Sequence, residues 1–241
     1  MKISIIIPAF NEERLLGDTL KHINVSAERF RQRGWESELI VCDNNSIDRT
    51  AEIARNAGAT VVFEPVNQIG RARNAGAAAA IGDWLIFVDA DSHPSAELFA
   101  DVIGQIESGS CLAGGSTVRL EGDYPAARRI TSLWNFISRS LRWMAGSFIF
   151  CEAKAFREVG GFSSELFASE ELDLSKKLKK LAAQRGKKIV ILQGHPMLTS
   201  ARKLHLYTAR EHLGVILRMV IAPGKALRNR QTCRTWYDGR R

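Results

Sequence analysis

Four short runs of apolar, strand-favouring residues punctuate the first ninety positions, and a stretch of helical periodicity separates each from the next. The runs cover residues 3–8, 39–42, 60–63 and 84–88, and the helical stretches cover 12–33, 48–56 and 70–80. Leu15, Leu16, Leu20 and Ile23 mark the inner face of the first helix, and Gly58 is a stop signal after the second. Strands apolar along their whole length leave no face for water. They predict a mostly parallel sheet covered by helices on both sides, an α/β fold of Rossmann-like character. In such sheets ligands bind beyond the carboxyl ends of the strands. Pro8-Ala9-Phe10-Asn11-Glu12, Asp43-Asn44-Asn45 and Asp89-Ala90-Asp91 are therefore expected along one edge of the molecule.

Beyond residue 110 the pattern loosens. Strands are expected at 114–118, 147–151 and 188–192, and helices at 126–144, 169–185 and 204–220. Pro223-Gly224 divides a folded body, residues 1–222, from a basic C-terminal segment, residues 223–241, expected to be a solvated tail. Within the body, the regular alternation covers about residues 1–110 and the looser pattern about 111–222. With 45% hydrophobic and 25% charged residues in 241, disordered and fibrous classes are excluded. No apolar run approaches the ~20 residues of a spanning helix, so a cytoplasmic protein is expected. The four cysteines form no CxxC pair, which excludes zinc-finger spacing. The net charge of +8 is unevenly placed: residues 1–175 carry 17 basic and 24 acidic side chains, whereas 176–241 carry 17 basic and only Glu211 and Asp238. A basic end of this kind attracts anions such as a phosphorylated substrate, a membrane surface or a nucleic acid. No nucleic-acid reading motif accompanies it, so a nucleic-acid partner is not expected.

Four groups of residues can carry chemistry. Asp89 and Asp91 follow an apolar strand directly, and two carboxylates held together favour a divalent cation between them. The alternative is a turn in which Asp91 or Ser92 caps the helix of residues 95–107. Gly70-Arg71-Ala72-Arg73-Asn74-Ala75-Gly76 opens a helix with cationic side chains, suited to an anion or simply to a solvated helix start. Gly76 there allows close approach of helix and sheet. Ser169-Glu170-Glu171-Leu172-Asp173 supplies either acids that complement a helix dipole or a general base in an apolar surround. Gly194-His195-Pro196, just past the last strand, offers a metal ligand or a structural histidine, and Arg202 beside Lys203 can neutralise a diphosphate.

Taken in order, the segments 3–12, 41–50, 70–76, 89–91, 145–148, 159–162 and 169–171 resemble the successive motifs of family 2 glycosyltransferases. The resemblance spans about residues 3–205. It implies a GT-A fold and inverting transfer of a sugar from a nucleotide-diphosphate donor, with a UDP-sugar favoured, to an acceptor hydroxyl on a lipid or glycan. Peripheral contact with the inner face of a membrane would accompany a lipid acceptor. By position, Pro8, Ala9 and Glu12 resemble residues lining the nucleotide pocket, Asp43 with Asn44 the base-reading segment, and Arg71 and Asn74 the segment along the donor. Asp89 and Ala90 resemble the ribose side, and Asp91 the residue that holds Mn²⁺ or Mg²⁺, with His195 as a third ligand. Arg202 resembles a leaving-group clamp. Glu171 stands where the family usually has an aspartate base, and Glu170 remains an alternative. Asn45 and Arg49 stand where the family usually has glycine. A nucleotidyltransferase is the rival within this architecture, but the acidic Pro8–Glu12 segment replaces the Gly-rich cationic loop such enzymes carry after the first strand.

Overall fold

The computed structural model describes residues 1–122, 124–202, 227–233 and 237. The expected alternation is present: β1 (Lys2–Ala9), α1 (Leu16–Gln32), β2 (Glu36–Asp43), α2 (Thr50–Asn56), β3 (Thr60–Phe63), α3 (Ile69–Ala79) and β4 (Trp84–Val88). There follow β5 (Ser92–His93), α4 (Ala96–Glu107), β6 (Cys111–Leu120), α5 (Pro125–Leu141), β7 (Phe148–Glu152), α6 (Ala153–Glu158), α7 (Glu170–Gln184) and β8 (Lys188–Thr199). The eight strands form one sheet in the order β3-β2-β1-β4-β7-β6-β8-β5. Strands β1 to β4 are parallel with Ile5 opposite both Leu39 and Ile86, whereas β7 runs antiparallel between β4 and β6.

Burial explains the layers. Helix α1 turns Leu16, Leu20, Ile23, Ala27 and Phe30 inward at helical spacing and packs with α4 on one face of the sheet. On the other face α3, α6 and α7 cover Ile6, Leu85, Phe87 and Ile149. Each fully buried side chain of this size contributes about 1.5–3 kcal/mol. Gly76 does permit the close helix–sheet approach: a Cβ there would stand 2.5 Å from Ile6 Cγ2.

Three expectations change. The helix after β4 is capped by Ser95, whose Oγ accepts the Leu98 amide at 3.2 Å, while Ser92 lies in β5 and bonds Thr199 Oγ1 at 2.9 Å. Neither Asp91 nor Ser92 is the cap, because the two-residue β5 inserts between Asp91 and the helix. Strand β8 runs on to Thr199, and its pairing with β6 jumps from Leu192 to Met197, so Gly194-His195-Pro196 is a bulge within the strand, not a loop beyond it. The described part of the C-terminal segment packs at Leu227, Cys233 and Tyr237, while residues 228–231 are exposed. Cys233 and Tyr237 lie buried with Ala168, against Ile69, Phe167 and Leu227, and the Phe167 amide donates to Leu227 O at 2.7 Å. Three apolar residues among the arginines account for this. The expected helix at 204–220 and the boundary at Pro223-Gly224 lie outside the described residues.

Candidate active site

The loops after β1, β2 and β4 meet at one edge, where their backbones are cross-linked. Asn11 receives Ile47 N–H on Oδ1 (2.9 Å) and donates its own amide to Ser46 Oγ (2.9 Å), and the Glu12 amide donates to Thr50 Oγ1 (2.8 Å). Asn45 sits at φ +66°, a left-handed conformation that glycine and asparagine tolerate.

These loops enclose a cleft lined by Pro8, Ala9, Glu12, Asn44, Asp89, Ala90 and Asp91, with Phe10, Asn67, Ile69 and Tyr237 completing it. Seven residues singled out from the sequence thus share one cavity. Its enclosed volume is about 60 Å³, well short of the ~300 Å³ or more typical of ligand pockets. Tyr237 forms part of the wall, its hydroxyl donating to Phe167 O at 2.8 Å. Asp43, buried, accepts the Ser46 amide at 3.0 Å. Asn44 is a loop organiser as well as a lining residue: it donates to Glu64 O and Val66 O and accepts the Gln68 amide.

Two guanidinium groups divide the carboxylates of this edge between them. Arg202 grips Glu12 with both terminal nitrogens (2.7 and 2.8 Å) and reaches Asp91 Oδ2 at 3.2 Å. Its Nε is buried with no hydrogen-bond partner among the described residues. Burial opposes the charge of Arg202, and the two carboxylates more than offset it, so its pKa is raised. The second group, Arg73, is 1% exposed. It donates to Glu170 Oε1 (2.6 Å), Asp89 Oδ1 (2.8 Å) and Gly146 O (2.9 Å), and its cation stands 5.1 Å from the centre of the Phe162 ring. Arg73 thereby ties the strand-end carboxylate to the first turn of α7.

Glu170 is buried in that ion pair, while Glu171 beside it is half-buried. Desolvation pushes both carboxyls upward. Glu171 reaches about 8, with the charge of Glu170 adding to the burial effect.

The remaining sequence candidates have other partners. Arg71 pairs with Glu64 at 3.3 Å. Asn74 clamps the backbone of Phe162, donating to its carbonyl (2.8 Å) and accepting its amide (3.0 Å). His195, in the β8 bulge, is half-exposed with Nδ1 2.9 Å from Asp101 Oδ2; the structure does not bring it to Asp89 and Asp91. Among the described residues no group of three or more His, Cys, Asp or Glu side chains is placed to hold a metal ion. Asp89 and Asp91 nevertheless form an all-oxygen pair on the cleft wall, suited in kind to a hard cation whose other ligands are water or phosphate oxygens. Sequence reasoning passed over Arg73 and Tyr237. Arg73 stood in a helix-opening motif with nothing to show which way it faced, and Tyr237 lay in a segment read as tail.

A mostly parallel α/β sheet with paired carboxylates and guanidinium groups in a cleft at its strand ends is the architecture of the GT-A fold. The chain belongs to glycosyl transferase family 2, whose pattern matches residues 4–162. It is 42% identical over 96 residues to a 4,4'-diaponeurosporenoate glycosyltransferase of Staphylococcus haemolyticus, covering 37% of this chain and 24% of that one. It is 30% identical over 143 residues to a dolichol-phosphate mannosyltransferase of Pyrococcus furiosus, covering 55% of this chain and 38% of that one. The chain therefore matches well under half the length of either relative. The mannosyltransferase PcManGT of Pyrobaculum calidifontis, solved with GDP-Man and Mn²⁺, superposes with a TM-score of 0.66 at 18% identity, covering 98% of this chain and 73% of that one.

Proposed function

We propose that this chain transfers a sugar from a nucleotide-diphosphate donor, with a UDP-sugar favoured, to an acceptor hydroxyl, with inversion and with Mn²⁺ or Mg²⁺. The observation that carries this reading is the sharing of one cleft by Glu12, Asp89 and Asp91, with Arg73 tying Asp89 to Glu170 at the start of α7. Relatives and structural neighbours that act on mannose or bind GDP-Man with Mn²⁺ support the donor class.

In this reading Pro8, Ala9, Asp43 and Asn44 receive the nucleoside, with Arg71 and Asn74 behind the donor. Asp91, assisted by Asp89 and Ala90 on the ribose side, holds the divalent ion, which supplies positive charge to the diphosphate leaving group. His195, turned to Asp101, is left out of that set. Arg202 changes partners: its guanidinium leaves Glu12 and Asp91 for the diphosphate, where its unpaired Nε–H gains an acceptor. Glu171 takes the proton from the acceptor hydroxyl as that oxygen attacks the anomeric carbon from the face opposite the leaving group. Glu170 is the poorer base because Arg73 neutralises it. The acceptor is a lipid or a glycan, and a lipid acceptor entails peripheral contact with a membrane; among the described residues no helix is long and apolar enough to cross one.

Transfer assays and thermal shift test the reading together. UDP- or GDP-sugars with Mn²⁺ should raise the unfolding temperature of the wild type, as mass action requires for any ligand that binds only the native state. Asp91→Ala should lose that shift. Glu171→Gln should keep it while losing about 10²–10⁴-fold in turnover, the range expected for a general base. Full transfer by either variant removes that residue from the mechanism, and no shift with any nucleotide sugar overturns the donor class.

A further inference from the structure

Helix α5 turns apolar side chains outward. Its inward side includes polar anchors beside the partly buried Trp134 and Ile137: Asn135 donates to Val118 O and accepts the Val118 amide, both at 2.9 Å, and the buried Ser138 donates its hydroxyl to Trp143 O in the turn after the helix at 2.6 Å. Its outward side carries Ile130, Leu133, Phe136 and Leu141, which are 68%, 61%, 60% and 41% exposed. At 3.6 residues per turn these four fall within an arc roughly 140° wide. A surface helix ordinarily turns such a stripe to the core. Clustered exposed apolar side chains mark a contact with something other than water.

Charge indicates what that is. Residues 125–142 contain Arg128, Arg129, Arg139 and Arg142 and no acidic residue. Across the following turn Lys179 donates to Leu141 O at 3.2 Å, and Lys176 lies 6.0 Å from the centre of the Trp143 ring. An apolar stripe flanked by long cationic side chains is complementary to a lipid surface bearing negative headgroups, and not to a neutral or basic partner. Position adds a further reason. β6 runs parallel to β8 and antiparallel to β7, so it ends, and β7 begins, at the site edge of the sheet. Both ends of α5 are tied there, and Gly146, just after it, accepts a hydrogen bond from Arg73.

We propose that α5 seats this protein on an anionic lipid surface, its apolar stripe entering the headgroup boundary and its arginines meeting lipid phosphates. That the seat turns the cleft toward a lipid acceptor rests on the proposed transferase function; the seat itself does not. Co-sedimentation of the full chain with phosphatidylglycerol–phosphatidylcholine vesicles, without donor, tests it. The wild type should bind these vesicles, bind phosphatidylcholine alone at least tenfold more weakly, and be released by high salt. Leu133→Ser/Phe136→Ser should lower binding at least tenfold with an unchanged unfolding temperature, since both side chains are exposed. Arg129→Glu, which keeps the apolar stripe, should weaken binding to the anionic vesicles only. The inference fails if the wild type does not bind, if the double variant binds undiminished, or if the stripe proves to hold a dimer that the double variant dissociates without changing lipid binding. Donor binding is read separately by thermal shift without vesicles, so failure of the transferase reading and failure of the seat register in different measurements.

Discussion

At the scale of single residues the site is governed by carboxylates that outnumber the cations facing them. Arg73 carries the heavier structural duty, because it is itself buried and holds the buried Glu170 as well as the partly exposed Asp89. Removing one partner of a buried pair leaves uncompensated charge, at a cost of about 3–5 kcal/mol. Arg73→Met should therefore lower the free energy of unfolding in urea by roughly that amount. A loss under ~1 kcal/mol, the range of an exposed ion pair, would show that the pair is solvated. Glu171 gives a pH signature. Its native pKa of about 8 lies above that of an unfolded glutamate, so ionising it opposes folding. Its contribution is complete below about pH 4 and is lost as pH rises through about 8. Unfolding temperature in the wild type should fall across that window more steeply than in Glu171→Gln. Since a base acts only when deprotonated, kcat/KM should rise over the same range. Parallel stability curves for the two proteins would mean that Glu171 is not perturbed.

At the scale of elements, the parallel strands place the chemistry and the helices fix its depth. Helix α3 lies against β1 closely enough that Gly76 has no room for a methyl group beside Ile6. Gly76→Ala should destabilise by about 1–3 kcal/mol, as overpacking does. The cost of Gly76→Ala should shrink in an Ile6→Ala background, which lacks the Cγ2 methyl that the new Cβ would meet, measured as a double-mutant cycle in urea. Strict additivity would place the strain elsewhere. The alternation β1-α1-β2-α2-β3-α3-β4 was legible in the sequence because each strand is apolar on both faces and each helix keeps a 3.6-residue period. The two-residue β5 and the bulge in β8 were not, because their pairing partners lie far away in the chain, and the six-residue α6 is too short to show a helical period. Helix α5 was legible as a helix, but which of its faces met the sheet was decided by Val118 and Asn135.

For the whole molecule, segments far apart in the chain meet at the cleft. Tyr237 closes the wall opposite Pro8 and Ala9, and its hydroxyl holds the loop leading into α7 through Phe167 O. Tyr237→Phe keeps the ring and loses the bond to Phe167 O and the longer one from the Ile69 amide, an expected cost of about 1–2 kcal/mol in urea unfolding. Tyr237→Ala also removes the ring and should cost more, and it should change the affinity for nucleoside diphosphate. Indifference of both stability and affinity would return this segment to the status of a solvated tail. The charge imbalance takes on a local meaning: acids of the first half meet Arg202 of the second at Glu12 and Asp91.

The sequence by itself determined the sheet, the edge at which its loops gather, and the family, since these follow from hydrophobic period and from short contiguous motifs. It placed Pro8, Ala9, Glu12, Asn44, Asp89, Ala90 and Asp91 together because every parallel strand delivers its carboxyl end to the same side. Only the tertiary structure decided which cation neutralises which acid. It inserted Arg73 between Asp89 and Glu170, turned His195 to Asp101, brought Arg202 190 positions back to Glu12, and folded Tyr237 into the wall. Ion pairs and hydrogen bonds have no period along a chain; they depend on distances of a few ångströms between segments that packing alone brings together.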